Sequence, residues 1–101
     1  MAASGAARVG DAVATGHACE SVTTIAGPGL PTVLIEGKVA ARVGDMLTPH
    51  TTGVPPFCVS HTMPIIGPGN PTVLVGGLPL ATIGTPADSG AITSGATTVL
   101  A

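Results

Sequence analysis

The chain has no tryptophan and no tyrosine, and Phe57 is its single aromatic residue. Charge is equally scarce, with three Lys and Arg against five Asp and Glu. So few basic and aromatic side chains exclude the electrostatic and stacking footprint of a nucleic-acid binder. Long apolar runs free of helix breakers are missing too. Met46 to Ala87 carries no formal charge, but Pro55, Pro56, Pro64, Pro68, Pro71 and Pro79 interrupt it. No window of about 20 residues there can close its backbone hydrogen bonds as a lipid-exposed helix. Met1-Ala-Ala-Ser-Gly5 lacks a basic region followed by an apolar core, so no secretory leader is expected. The chain is expected to be soluble and made in the cytoplasm.

What is present narrows the class further. Gly and Pro number 15 and 10 of 101 residues, a density that breaks helix bundles and coiled coils. Hydrophobic residues make up 45% of the chain, and the net charge is −2. With a mean hydropathy of +0.60, that balance excludes a disordered chain. The length fits a single domain over residues 1–101. A core built from Val, Ile, Leu and Ala is thin, and chains of this size are often helped by metals, disulfides or oligomerisation. Cys19 and Cys58 suffice for one disulfide, but in a cytoplasmic product metal binding is the favoured use.

The sequence repeats itself. Gly27-Pro-Gly-Leu-Pro-Thr-Val-Leu-Ile-Glu-Gly-Lys-Val-Ala-Ala-Arg-Val-Gly-Asp45 aligns with Gly67-Pro-Gly-Asn-Pro-Thr-Val-Leu-Val-Gly-Gly-Leu-Pro-Leu-Ala-Thr-Ile-Gly-Thr85 at an offset of 40, with ten of 19 positions identical. Ala6-Ala-Arg-Val-Gly-Asp11 recurs unchanged as Ala40 to Asp45, and Ser94-Gly-Ala-Thr-Thr-Val-Leu-Ala101 is a truncated third copy. The first copy lacks its opening strand and the last its closing one, as in a permuted repeat. Each unit reads as a β-hairpin. Thr32–Ile35 and Thr72–Val75 are β-prone, Glu36-Gly37 and Gly76-Gly77 are two-residue turns, and Val39–Val43 and Pro79–Ile83 return. Pro31 and Pro71 stand at strand entries. Asp11–Ala26, Asp45–Ile66 and Thr85–Ser94 are expected to be irregular loops, and no helix is expected. Three similar hairpins imply approximate threefold symmetry, which suits docking on a true trimer.

Every His and Cys lies in the first two of these loops: His17 and Cys19, then His50, Cys58 and His61. Imidazole nitrogen and thiolate sulfur are the natural ligands of Zn²⁺, and four of them make a closed structural site. The third loop, with neither His nor Cys, is not expected to contribute. Glu20, beside Cys19, is the one carboxylate close in sequence to the ligands and the only candidate general base of a small zinc-dependent hydrolase. Gly27-Pro-Gly29 and Gly67-Pro-Gly69 do not read as phosphate cradles, because no helix follows and Pro removes donors.

Pro31 to Asp45 resembles the repeat of the PAAR family, with Val39-Ala-Ala-Arg42 standing where the name-giving residues would. Pro79 keeps the family proline in the second copy, followed by Leu80-Ala-Thr. The resemblance runs from Ala6 to Leu100. It implies an all-β, pyramidal fold of three pseudo-symmetric hairpins with structural Zn²⁺ near the apex. It further implies a non-enzymatic tip capping the trimeric β-helical spike, VgrG-type or phage, of a contractile injection machine. One monomeric tip would sit on each trimer through the end opposite the His and Cys loops. The tip would be assembled in the bacterial cytoplasm, then ejected with the spike or carried on a virion tail, without stable membrane insertion. The family commonly uses three His and one Cys, which by position implies His17, His50, Cys58 and His61, with Cys19 the substitute for Cys58. The family often has a third-loop ligand that this chain lacks. The alternatives to a spike tip are the Glu20 hydrolase and a zinc-stabilised module that binds effectors.

Overall fold

The computed structural model describes residues 4–101, so the reading of the first three residues as free of a leader lies outside the described part. The described chain is all-β, with eleven short strands and no helix. In chain order these are β1 (Ala12–Ala14), β2 (Val22–Gly27), β3 (Leu30–Ile35), β4 (Lys38–Ala40), β5 (Met46–Leu47) and β6 (His50–Val54). They continue with β7 (Phe57–His61), β8 (Asn70–Val75), β9 (Leu78–Leu80), β10 (Pro86–Ala87) and β11 (Gly90–Ile92). One sheet has the order β10-β11-β1-β2-β5, and β3-β4, β6-β7 and β8-β9 are separate hairpins.

The two repeat hairpins follow the sequence. Ile35 pairs with Lys38 and Val75 with Leu78, leaving Glu36-Gly37 and Gly76-Gly77 as two-residue turns. Left-handed dihedrals suit such turns, and φ is +52° and +80° in the first, +61° and +86° in the second. The truncated copies meet at the chain ends, where Ser4 and Ala101 exchange backbone hydrogen bonds of 3.0 and 2.9 Å and Gly5 bridges to Leu100. The two ends thus supply one arm each of a third pairing.

Between these hairpins the backbone closes a ring. The N–H of Ala7 donates to the carbonyl of Ala81 at 2.8 Å, Ala81 to Ala41 at 3.1 Å, and Ala41 back to Ala7 at 3.0 Å. Small side chains suit a place where three backbones converge this closely, and all three alanines are fully buried. A second threefold set of bonds runs in the opposite cyclic order two residues on, with Val9 donating to Val39, Val43 to Pro79 and Ile83 to Gly5. Beyond the ring each segment turns sharply: the amides of Arg8, Arg42 and Thr82 donate to side-chain oxygens of Asp11, Asp45 and Thr85 at 2.7, 2.7 and 3.0 Å. Gly10, Gly44 and Gly84 occupy these turns at φ +96°, +95° and +91°, a region that side-chain-bearing residues rarely adopt.

Nine residues form the main core in three equivalent sets: Ala7, Ala41 and Ala81; Val13, Leu47 and Ala87; Ile25, Ile65 and Ile92. A second cluster lies under the repeat hairpins, with Ala6, Ala40 and Leu80 beside Ile35, Val75 and Ala96. Aliphatic burial contributes about 1.5–3 kcal/mol per Val, Leu or Ile side chain, and alanines contribute less, so this core is as thin as the composition implies.

The stretches expected to be irregular are mostly hairpins. β1 pairs with β2 inside the first, β6 with β7 inside the second, and β10 with β11 inside the third. Ala, Gly and Pro make up most of β1, β10 and β11, so their β-propensity is weak and their order comes from sheet pairing. The β6-β7 hairpin is largely exposed, with Val54 and Phe57 beside its turn 74% and 81% accessible. No helix of the described chain is long and apolar enough to cross a membrane.

Candidate metal centre

Each segment that leaves a Gly-Asp or Gly-Thr turn carries a polar side chain to one place. His17 lies in the tight loop after β1, where Thr15 N–H donates to Ser21 O at 2.9 Å. His50 opens β6 and His61 closes β7, directly opposite each other in the hairpin register. Asp88 occupies the two-residue turn between β10 and β11, because Ala87 pairs with Gly90. Its φ of +53° is a left-handed conformation that Asp tolerates better than most residues, and such backbone strain is concentrated at functional sites.

The four side chains converge through one atom each. His50 Nε2 lies 2.8 Å from His61 Nε2, and His17 Nε2 lies 3.1 Å from His61 Nε2. Asp88 Oδ2 lies 2.6, 2.9 and 3.1 Å from the Nε2 atoms of His50, His17 and His61. All four groups fall within 4.8 Å of one another, so this set can hold a metal ion. The His50 side chain is fully buried and that of Asp88 is 3% exposed, whereas that of His61 keeps 25%.

The hydrogen-bond arithmetic favours a cation. His50 Nδ1–H donates to the Thr48 carbonyl at 2.9 Å, which leaves the Nε2 lone pair facing inward. That lone pair meets Asp88 Oδ2, another acceptor. One carboxylate oxygen therefore faces three imidazole nitrogens, two of which also face a third. A proton can settle one of these contacts, and a cation at the centre settles all five. Donors at about 2.0–2.1 Å around a tetrahedral ion stand roughly 3.3 Å apart; five of the separations here are shorter, at 2.6–3.1 Å, and the group spans up to 4.8 Å. Thr52 Oγ1, 3.2 Å from His17 Nδ1, gives a second imidazole an outer partner. Burial works against the charge on His50, but the Thr48 carbonyl and Asp88 outweigh it and hold its pKa above the ordinary value. For Asp88, burial is likewise outweighed by His50 and His17, and its pKa lies below the ordinary carboxylate value.

His17, His50 and His61 meet as the sequence suggested. Cys58 does not join them: it is bonded to Cys19, with Cα atoms 6.0 Å apart. The reason is strand geometry. Side chains alternate along a strand, so residues three apart point to opposite faces, and Cys58 and His61 both lie in β7. The reading of 45–66 as irregular hid that constraint. Cys19, the substitute, is consumed by the same bond. The fourth donor is Asp88, from the loop expected not to contribute because it lacks His and Cys. Its signal was available: Pro86-Ala-Asp-Ser-Gly90 is a hairpin-turn sequence placed like the other two loops. Glu20 is engaged elsewhere, its Oε1 accepting hydrogen bonds from Thr51 N and Oγ1 at 2.9 and 3.0 Å.

Neither a family model nor a curated protein matches the chain.

Proposed function

We propose that this chain is a metal-stabilised, PAAR-like spike tip, a single-chain pseudo-trimer that caps a true trimer. The observation that carries this reading is the closed hydrogen-bond ring of Ala7, Ala41 and Ala81. A single chain repeating the same backbone bonds three times offers one partner three equivalent contact sets. The hairpin side of the ring supplies them. Leu34, Leu74 and Leu100 occupy equivalent repeat positions and are 61%, 59% and 57% exposed. Three leucines left in water at matching positions suit an apolar, threefold docking face. The tapering side would be the β6-β7 hairpin and the metal site, where packing alone is sparse.

The ion would be Zn²⁺, held by His17, His50, His61 and Asp88. Its part is structural, because four protein donors complete a tetrahedral site and leave no position for a reacting water. The four side chains hold loops up to 71 residues apart in sequence. The test is capture on an immobilised trimeric spike protein of a contractile machine. The wild-type chain should bind and Leu34→Asp, Leu74→Asp and Leu100→Asp should each weaken binding without unfolding the chain. Capture of the three variants at wild-type strength would contradict this reading. So would binding abolished by moderate salt, since an apolar contact is only weakly screened.

A further inference from the structure

The disulfide has no part in the ligand set, yet its two ends flank it. Cys19 follows His17 by two residues, and Cys58 precedes His61 by three. Alternation along β6 and β7 puts His50, Thr52 and His61 on one face of the hairpin and Cys58 on the other. The loop after β1 therefore grips the hairpin from both faces. His17 reaches the first face, beside Thr52 and the other ligands, and Cys19 is bonded on the second. Glu20 ties the same loop to Thr51. Among these tethers only the Cys19–Cys58 bond is covalent, and it closes a loop of 39 residues.

We infer that the Cys19–Cys58 disulfide is the positioning element of the metal centre: it holds His17 against His50, His61 and Asp88, so the affinity for a divalent transition metal follows the redox state of this bond. The inference rests on the metal reading of those four residues. A dithiol reverses the bond by exchange. One thiolate attacks a disulfide sulfur, the second releases the mixed disulfide, and two cysteine thiols form as the dithiol becomes its own disulfide. The freed loop keeps His17 in the chain but no longer fixes it at the site. Loss of a group that orients a metal ligand typically lowers affinity 10–100-fold. The opposite-face placement of Cys58 keeps its freed thiolate out of the ligand set.

The test uses the metal-free, oxidised full chain, titrated with Co²⁺ and with Zn²⁺ against a competing chelator. The titration is repeated after reduction by a phosphine, which becomes its oxide with oxygen from water while the S–S bond takes up two electrons and two protons. Reduction should weaken both metals about tenfold to a hundredfold. The Cys19→Ser/Cys58→Ser double variant should match the reduced chain and ignore the phosphine. His17→Ala should cost a similar factor in the oxidised chain and little in the double variant, because the disulfide acts through His17. Equal affinity of oxidised and reduced chains overturns the inference and leaves the metal site standing. Fully multiplicative losses do the same. A sulfur-to-cobalt charge-transfer band on reduction also overturns it, since it would put a thiolate in the ligand set. An oxidised chain that takes up no metal overturns the metal reading and the inference together.

Discussion

Asp88 is where one residue has most leverage. Its side chain is almost fully buried, it faces three imidazoles, and its backbone is held left-handed by a two-residue turn. Asp88→Asn retains shape and removes the negative charge that would neutralise the proposed ion. The variant should lose most bound metal by elemental analysis and show a lower Tm, whereas Glu20→Gln should keep its metal. Full metal retention by Asp88→Asn would put the fourth donor elsewhere. A second residue-scale prediction concerns Asp11. Burial opposes its charge, but hydrogen bonds from Arg8 and Ser94 outweigh it and hold its pKa below the ordinary value. Arg8 also reaches Glu36 at 2.9 Å, completing the charged groups around Asp11. A depressed folded-state pKa gives stability that is fully present above the ordinary carboxylate pKa of about 3.9 and is lost as pH falls through the folded value. Wild type should therefore exceed Asp11→Asn in stability at neutral pH, with the gap narrowing below about pH 4. A gap in chemical-denaturation midpoints that stays constant to pH 2 would contradict the assignment.

The hairpins show how far sequence reaches at the level of elements. Thr-Val-Leu runs flanked by Pro and a two-residue turn are strong local signals, and β3-β4 and β8-β9 sit where those signals place them. β1, β10 and β11 carry Ala, Gly and Pro and become strands only by pairing with one another and with β2, a contact that no local window contains. The site suffered from the same blindness. Three His were visible as a concentration of ligand types, but choosing between Cys58 and Asp88 required knowing that 50–61 is a regular hairpin. Glu36 was legible only as a turn residue, although it does more. Its Oε2 accepts hydrogen bonds from Thr97 N, Thr98 N and Thr98 Oγ1, and its Oε1 receives Arg8. It clasps the C-terminal segment at Thr97 and Thr98 to the β3-β4 turn. Glycine stands at the equivalent position, Gly76, and there Arg42 keeps a buried Nε without a partner among the described residues. Glu36→Ala should accelerate amide exchange at Thr97 and Thr98 and leave Thr23 and Thr24 unchanged. Unaltered protection at Thr97 and Thr98 would mean that this segment is held by its backbone hydrogen bonds alone.

Across the whole molecule, a thin aliphatic core and a covalent bond hold the chain together, and the proposed ion would add a third link. Ile25, Ile65 and Ile92 are each 1% exposed and sit in equivalent places, so Ile→Ala at any of them should cost about 2–5 kcal/mol in urea unfolding. One position costing far less than the other two would break that equivalence. In the chain-entropy picture the 39-residue loop closed by the disulfide is worth about 4 kcal/mol, a large addition for so small a core. The proposal that one chain with three matching faces serves one trimer rests on the ring of three alanines. Its most direct test is the mass of the purified complex with a trimeric spike protein, measured by light scattering. The account predicts three spike chains and one copy of this chain, and a mass corresponding to three copies per trimer would contradict it.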